Sequence, residues 1–391
     1  MKYLGKIKYA PLALAAGLAL SATSANALTI NLIDTGGVTG TDAELGFTIA
    51  AHYWESVFTN DATLNLNVGY APLGPGILGS TGSSLVEFVP IADYYAGLAA
   101  SGTSALDATA LANLSPLSGT GSVNIQVPGY LNPGTQTGIN DNAPPRIAPD
   151  GEPIANTIAL STANYKAVFG GSDGIDGDIT FSSNFSWDFN PTDGIPTASY
   201  DFIGVAIHEI GHALGFLSGT DDFDYSHGYA GDVDSYWWAY GLDMFRYSEE
   251  GQLSIVPGED EYFSIDGGAT NLGNFSTGQN FGNGYQASHW LPPGGCTDLL
   301  GIMNPYACNG TEDIVTGLDL ALFDAIGWNL SADAVDNLGY TKTTGEIYND
   351  YFATPPGGVP EPATWAQMVV GFGLFGGLLR RAKSRSRVSF A

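Results

Sequence analysis

The clearest pattern along the chain is an apolar stripe at helical spacing just before Gly215. Its members recur every three or four positions, as on the buried face of an amphipathic helix. Ser199 or Asp201 can cap the start of such a helix, and Gly215 can end it. The apolar positions are Ile203, Ala206, Ile207, Ile210, Ala213 and Leu214. The pattern predicts a helix with one face packed into the core.

Other patterns predict strands and further helices. Apolar and polar positions alternate in strands, whereas apolar positions recur every three to four residues in helices. Strands are predicted at 29–33, 64–70 and 179–189, and helices at 41–58 and near 91–100. The strand at 179–189 has one aromatic face, so it can either pack against the helix before Gly215 or accept an extended peptide by strand addition.

The beginning of the chain and the segment after its core differ in composition from the rest. Residues 1–27 combine three lysines, an apolar run from Pro11 to Leu20 and an Ala-Asn-Ala cleavage site. These features together are typical of a secretory signal peptide. Residues 331–358 are polar and irregular, which predicts a linker. The protein is therefore expected to be exported.

The body of the chain, residues 28–358, is strongly acidic. It contains four basic residues and 39 of the 40 acidic ones, a formal charge of −35 (4 − 39). Because a phosphate backbone needs a basic surface, nucleic acid is excluded as a partner.

Five aspartates lie between Asp221 and Asp234 in a stretch predicted to be a loop. They can bind calcium, but the spacing is not that of an EF-hand, which favours a solvated acidic loop.

Two histidines and a glutamate lie on the predicted helix, in His208-Glu209-Ile210-Gly211-His212. Positions i and i+4 share a helix face, so both imidazoles can bind one zinc ion. Glu209 is then placed to take a proton from a water that the metal activates. The alternative is an accidental match on a surface helix, but the core stripe and the terminating glycine favour a metal site. The sequence indicates a zinc peptidase.

A catalytic zinc site needs a third protein ligand and an open position for water. The residues alone leave this ligand open among several candidates, although imidazole is a commoner zinc partner than carboxylate. The candidates are the aspartates of 221–234, Glu249, Glu250, His227 and His289.

The two cysteines of the chain, Cys296 and Cys308, both lie far from the two histidines in sequence. A cysteine pair in an exported protein predicts a disulfide, here closing a short loop. Cysteine ligation of the metal is not expected.

The order of motifs after the helix resembles the leishmanolysin branch of the metzincin zinc peptidases. The contiguous metzincin pattern has its third histidine at the position of Ser218, whereas the leishmanolysin branch has a long insertion before that histidine. A methionine turn and a helix ending in Gly-Trp then follow. This chain has His289, then Met303 within Gly-Ile-Met-Asn-Pro, then Gly327-Trp328.

The resemblance implies a zinc ion held by His208, His212 and His289, with Glu209 as general base and then acid. It places Met303 in a turn beneath the metal, where a disulfide between the two cysteines would brace it. The leishmanolysins carry many disulfides and an inhibitory cysteine in the propeptide, whereas this chain has two cysteines, both after the zinc helix. Their mode of latency is therefore not carried over.

The fold that the resemblance implies is α+β: a metzincin-like domain with a twisted mixed sheet, an active-site helix and a loop-rich C-terminal subdomain. The N-terminal subdomain would span 28–215 and include the zinc helix. The C-terminal subdomain would span 216–330 and contribute the third ligand and the methionine turn.

Residues 359–391 resemble the PEP-CTERM sorting tail of Gram-negative bacteria. Val-Pro-Glu-Pro at 359–362 precedes an apolar run at 363–379 and a basic cluster from Arg380 to Arg385. The resemblance implies a transient inner-membrane anchor that an exosortase-type enzyme cuts as the protein moves to the cell surface or beyond. A plain permanent anchor is the alternative, because hydropathy does not separate the two.

Together these features predict an exported zinc endopeptidase that acts on proteins or peptides. Two alternatives stay open. One is a non-catalytic extracellular matrix protein whose metal serves structure only, and the other is a peptidase with a carboxylate as third ligand, as in gluzincins.

Overall fold

The computed structural model describes residues 28–82, 86–171, 173–291, 294–296, 299–331 and 338–353. The signal peptide predicted at 1–27 and the sorting tail predicted at 359–391 lie outside these residues. No helix in the described ranges is long and apolar enough to cross a membrane. The helices are α1 Asp42–Val57, α2 Ile91–Ser101, α3 Ala105–Ala112, α4 Pro153–Asn156, α5 Thr162–Phe169, α6 Phe202–Ala213, α7 Gly219–Tyr225, α8 Gly317–Ala325 and α9 Thr344–Ala353.

The strands form mixed sheets, one of four strands in the order β1-β2-β8-β3, one of three in the order β11-β7-β4 and one of six in the order β15-β14-β12-β13-β5-β6. The pairs β10-β9 and β16-β17 are separate. Their bounds are β1 Thr29–Gly36, β2 Thr63–Ala71, β3 Gly79–Gly82, β4 Val86–Pro90, β5 Ile125–Val127, β6 Arg146–Ile147, β7 Thr157–Ser161, β8 Gly177–Ser182, β9 Trp187–Asp188, β10 Tyr200–Asp201, β11 Ala239–Tyr240, β12 Arg246–Glu249, β13 Gln252–Ser254, β14 Tyr262–Phe263, β15 Gly273–Asn274, β16 Ile314–Thr316 and β17 Thr341–Thr343. The protein therefore belongs to the α+β class, as predicted.

The four-stranded sheet supports the helix that carries the two histidines. Strands β1, β2 and β8 are parallel, and β3 runs antiparallel to β8 at the edge. Helices α1 and α6 pack against each other and against this sheet. Three buried aromatic rings, those of Phe47, Phe181 and Phe202, meet at this contact with centroids 4.7–5.1 Å apart. The apolar stripes predicted for these two helices are confirmed as core.

The single strand predicted at 179–189 is wrong in its extent. Strand β8 ends at Ser182, a turn follows, and the Trp187–Asp188 strand pairs with β10 instead. The indole of Trp187 donates to the carbonyl oxygen of Ser182 at 2.8 Å, so the alternating aromatics fold back on the end of β8. Because β8 is paired on both sides, it has no free edge for an added peptide.

The segment predicted as a linker at 331–358 contains ordered structure. Strand β17 pairs antiparallel with β16, and α9 packs against α1. Ile347 is buried on α9, and the hydroxyl of the buried Thr344 donates to Asp201 at the start of α6. The polar composition of this segment did not predict its strand and helix, because few of its side chains are buried in the core.

Two sheets cross the subdomain boundary predicted between residues 215 and 216. Strand β7 pairs with β11, and β5 pairs with β13, so strands from both sides of the boundary share backbone hydrogen bonds. The segments before and after α6 are therefore joined by sheets as well as by the chain.

Candidate metal centre

Helix α6 begins and ends as its sequence dictates. The carboxylate of Asp201 accepts a hydrogen bond from the backbone N–H of Gly204 at 3.1 Å and caps the first turn. At the other end Gly215 has φ of 115°, which lets the chain turn away from the helix. A Cβ at Gly215 would also lie 2.9 Å from Cβ of Asn164, so a side chain has no room there. The predicted cap and terminator are confirmed.

Three imidazoles converge beside this helix. His208 and His212 lie one turn apart on α6, and His289 comes from the loop between β15 and β16. The Nε2 atom of His212 lies 3.1 Å from Nε2 of both other rings, and those two are 3.3 Å apart. The three histidines thus form a group whose ligand atoms are close enough to hold one metal ion.

The backbone fixes which nitrogen of each ring faces the centre. Nδ1 of His208 lies 2.8 Å from the carbonyl oxygen of Ile302, and Nδ1 of His212 lies 2.9 Å from that of Phe216. Nδ1 of His289 lies 3.2 Å from the carbonyl oxygen of Gln286. Because a carbonyl only accepts, each Nδ1 carries the proton and each Nε2 presents a lone pair.

No protein-family model, curated protein or solved structure matches this chain. The chemistry of the site therefore rests on its own donor set. Three lone pairs directed at one point repel one another unless a cation lies between them, which is the arrangement of a metal site. Burial lowers the pKa of His212 to about 3, and that of His289 well below its usual value, so these rings are neutral, as ligands must be.

Glu209 lies beside the three rings and is held by the edge strand. The hydroxyl of Thr81 on β3 lies 2.7 Å from Oε2 of Glu209 and 2.9 Å from its carbonyl oxygen. Burial raises the pKa of Glu209, and the nearby His208 and Thr81 oppose that rise. A Cβ at Gly79 would lie 2.8 Å from Oε1, so the glycine leaves room for this carboxylate. The side chain is thus fixed and faces the cleft.

Met303 packs against helix α6 at Gly211. A Cβ at Gly211 would lie 2.6 Å from Sδ of Met303, so the glycine between the two α6 histidines allows the close approach. Met303 is fully buried, and its carbonyl oxygen accepts from the backbone N–H of Trp290 at 2.9 Å. The methionine therefore supports both the helix and the residue next to His289.

Asp319 joins the loops that carry the third histidine and the methionine. Its carboxylate accepts from the Trp290 indole at 2.8 Å and from the backbone N–H groups of Ile302 at 2.9 Å and Met303 at 3.2 Å. It also accepts from the backbone N–H of Thr316 at 2.8 Å, which caps α8. Sequence reasoning missed this residue, although the Thr316–Asp319 spacing is that of a capping box.

The acidic stretch 221–234 is only in part the solvated loop that its spacing favours: Asp222 and Asp232 are exposed, whereas Asp221, Asp224 and Asp234 are not. Residues 219–225 form α7, and the Asp221 carboxylate accepts from the backbone N–H groups of Ala287 at 2.6 Å and Ser288 at 3.0 Å. Asp234 pairs with Arg146 at 2.6 Å. Asp221 thus holds the two residues that precede His289. Buried backbone donors need acceptors, and the Asp221 carboxylate supplies one for each of these two N–H groups.

The other candidate ligands lie elsewhere. His227 is exposed, pairs with Asp141 at 3.0 Å and stacks on Phe281. Glu249 and Glu250 are exposed at the end of β12. In the part of the chain that the structure describes, neither these nor the aspartates of 221–234 join the histidine group.

The two cysteines form a disulfide, as predicted. Cys296 and Cys308 have Cα atoms 5.9 Å apart, and Met303 lies within the loop that the bond closes. The bond therefore ties together the two sides of the loop that lies under α6.

The three histidines and Glu209 open onto a cleft of about 710 Å³. Residues of strand β3 and of the loop around Met303 line this cleft. Because β3 is the last strand of its sheet, its outer edge is available to an extended chain. An edge that could accept an extended chain is therefore present at β3, whereas β8 has none.

Proposed function

We propose that this protein is an exported zinc metalloendopeptidase of metzincin type. The observation that carries the proposal is the convergence of three Nε2 atoms, 3.1–3.3 Å apart, beside a buried glutamate in an open cleft. The proposed ligands are His208, His212 and His289, and Glu209 is the proposed general base and acid.

The spacing of the nitrogens supports zinc. Ligand atoms at about 2.0–2.1 Å from a tetrahedral zinc ion lie roughly 3.3–3.4 Å from one another. Three imidazoles and an open fourth position are also a donor set that catalytic zinc uses. When bound, the ion supplies a Lewis acid that polarises the scissile carbonyl and makes a water nucleophilic near neutral pH.

Side chains of the protein then carry out the proton transfers. Glu209 takes the proton of the attacking water at its carboxylate and delivers it to the leaving amine. The raised pKa of this buried side chain suits both steps, since the group must accept and then release the proton near neutral pH. Thr81 holds one oxygen of the carboxylate, which leaves Oε1 for the proton.

The edge of β3 supports an endopeptidase over an enzyme that binds only chain ends. An extended peptide can add to the outer edge of β3 through backbone hydrogen bonds, which need no particular side chain or terminus. Thr81 lies on that strand and contacts Glu209, so an added peptide would lie beside the catalytic carboxylate. The substrate class is therefore proteins or peptides in extended form.

Export and sorting remain part of the proposal. The signal peptide at 1–27 would direct the protein out of the cytoplasm, and the tail at 359–391 would anchor it in the inner membrane. An exosortase-type enzyme would release it to the cell surface or the medium.

The test is Glu209→Gln in the purified full chain, with zinc content and casein digestion measured on both proteins. The variant should keep about one zinc per chain, while cleavage falls by roughly 10²–10⁴-fold. A chelator should stop digestion by the unsubstituted protein, and added zinc should restore it. Zinc bound with no digestion by either protein would instead support a matrix protein with a structural metal, and near-native digestion by the variant would exclude the mechanism.

A further inference from the structure

One wall of the cleft carries a carboxyl group that the proposed mechanism does not use. Asp313 lines the cleft, and only 8% of its surface is exposed. Its backbone N–H donates to Asp201, but its side-chain oxygens accept no hydrogen bond from the described residues. Buried carboxylates in folded proteins are normally hydrogen-bonded or paired, so this one has unused binding capacity.

The position of this carboxyl is set by a glycine on the zinc helix. A Cβ at Gly204 would lie 2.3 Å from Oδ2 of Asp313, so any larger residue would displace the carboxyl. Gly204 precedes His208 by four residues, which is about 6 Å along the helix axis. Glycine is a poor residue for a helix, and here it keeps the side of α6 open to Asp313. The carboxyl therefore lies beside α6 about one turn before His208.

No basic residue of the protein neutralises Asp313. Each of the four basic residues in 28–353 has a carboxylate partner of its own, and the groups nearest to Asp313 are the acids Asp201 and Glu312. Burial, and then these two neighbours, raise the pKa of Asp313 well above its ordinary value. The four pairs are Arg146–Asp234, Lys166–Asp176, Arg246–Glu261 and Lys342–Asp350. A cation that would favour the ionised form of this carboxyl therefore has to come from a bound molecule.

We propose that Asp313 binds the basic side chain of an arginine or lysine next to the bond that is cleaved. The inference rests on the proposed peptidase function and names its substrate class. A substrate held at the metal has its neighbouring side chains within a few ångströms of α6, and an arginine can reach a carboxylate one turn away. Arginine also offers two parallel N–H donors that match the two oxygens of Asp313. Asp313 is thus a specificity-determining residue.

The test uses peptides that differ in one atom group. Citrulline has nearly the shape of arginine without its charge. The peptides are made in pairs, one with arginine and one with citrulline. Each pair carries that residue at a different position beside the cleaved bond. The unsubstituted protein should cleave the arginine peptide at least about tenfold better at one position, the ratio that one charged hydrogen bond supplies. In Asp313→Asn the ratio should fall to below about threefold.

The control variant is Glu312→Gln, which removes the neighbouring charge outside the cleft. The side chain of Glu312 accepts from the backbone N–H of Gly345, and glutamine keeps that acceptor. Its arginine preference should match that of the unsubstituted protein. If Asp313→Asn does not fold, Gly204→Ala supplies a second variant, since its methyl group displaces the same oxygen and should lower the preference.

Binding gives a readout that does not depend on turnover. Calorimetry with Glu209→Gln should show tighter binding of the arginine peptide than of the citrulline peptide, and the difference should disappear when Asp313→Asn is added. Equal cleavage and equal binding of the two peptides, or a preference that persists without Asp313, would overturn the inference. If the protein binds zinc but cleaves neither peptide, the proposed peptidase function is contradicted. A remaining difference in binding between the arginine and citrulline peptides would then still support the role of Asp313.

Discussion

At the scale of single residues, a backbone carbonyl group determines the tautomer of each imidazole. Three carbonyl oxygens, those of Ile302, Phe216 and Gln286, hold the three Nδ1 protons and leave the Nε2 atoms to the centre. Ligands oriented in this way do not reorganise when a metal binds. Loss of one of them removes a third of the protein donors.

His289→Ala should lower the zinc content to well below one per chain. His208 and His212 alone give two ligands, and a stable zinc site needs three or four. Metal analysis after dialysis measures the effect. His227→Ala is the matched control and should keep its zinc, because that ring pairs with Asp141 instead. Full zinc in His289→Ala would show that another group serves as third ligand.

At the scale of elements, a few buried carboxylates hold the loops that the sequence leaves irregular. Asp319 joins α8 to the loops of Trp290 and Met303, and Asp221 joins α7 to the residues before His289. Each carboxylate accepts several backbone N–H groups at once, so it replaces the regular ladder of a sheet.

Asp319→Ala should destabilise the protein far more than an ordinary cap substitution. It leaves buried donors on Trp290, Ile302, Met303 and Thr316 without an acceptor, each costing about 1–3 kcal/mol. Asp107→Ala is the control, since Asp107 occupies the equivalent capping-box position of α3 and its loss should cost about 1 kcal/mol. Urea unfolding gives both values. Equal losses would mean that Asp319 is only a helix cap.

The buried carboxyl groups of Asp201 and Asp313, which lie where α6, β16 and α9 meet, should make the free energy of unfolding depend on pH. Burial raises the pKa of Asp201 to about 6 and that of Asp313 well above its usual value. The unfolded chain releases these protons near pH 4, so the folded state holds more protons between pH 4 and 6. Stability should therefore fall as pH rises through that window, by up to about 1.4 kcal/mol per pH unit for each proton.

Asp313→Asn isolates this effect. The variant lacks one of the two titrating groups, so its free energy of unfolding should fall less steeply from pH 4 to 7 than that of the unsubstituted protein. Urea unfolding with chelator present keeps the histidines equivalent in both proteins. Identical slopes would show that Asp313 does not hold a proton in the folded state over this range.

At the scale of the whole molecule, the proposed metal connects distant parts of the chain. His208 and His289 are separated by 81 residues and lie in different elements. An ion that binds only the folded arrangement adds its binding free energy to folding, about 4 kcal/mol at a free concentration 1,000-fold above Kd. The metal is thus expected to stabilise the fold as well as to act in catalysis.

A chelator should lower the midpoint of thermal unfolding by several degrees, and added zinc should restore it. About 2–4 °C per kcal/mol is expected for a domain of this order of size. Calorimetry on the unsubstituted protein and on His289→Ala measures the effect, and the variant should respond little to the chelator. The same midpoint with and without chelator in the unsubstituted protein would exclude a bound stabilising metal.

The sequence alone determined the local parts of this protein. The α6 helix, its cap, its terminator and the shared face of His208 and His212 follow from a period of 3.6 residues and from near neighbours, which act within one or two turns. The disulfide followed from the presence of a single cysteine pair. The buried faces of α1 and β2 could also be predicted, because apolar positions recur at helical spacing in α1 and alternate with polar ones in β2.

Tertiary structure decided what depends on residues far apart in the chain. From the residues alone, His227 and His289 were both possible third ligands, and only the packing of distant loops brings His289 to the centre. The burial of Asp221, Asp313 and Asp319 could not be predicted for the same reason, since the sequence does not show which distant residues cover an acidic side chain. The folding of the segment after residue 338 depends on contacts with α1 and α6, which no local pattern encodes.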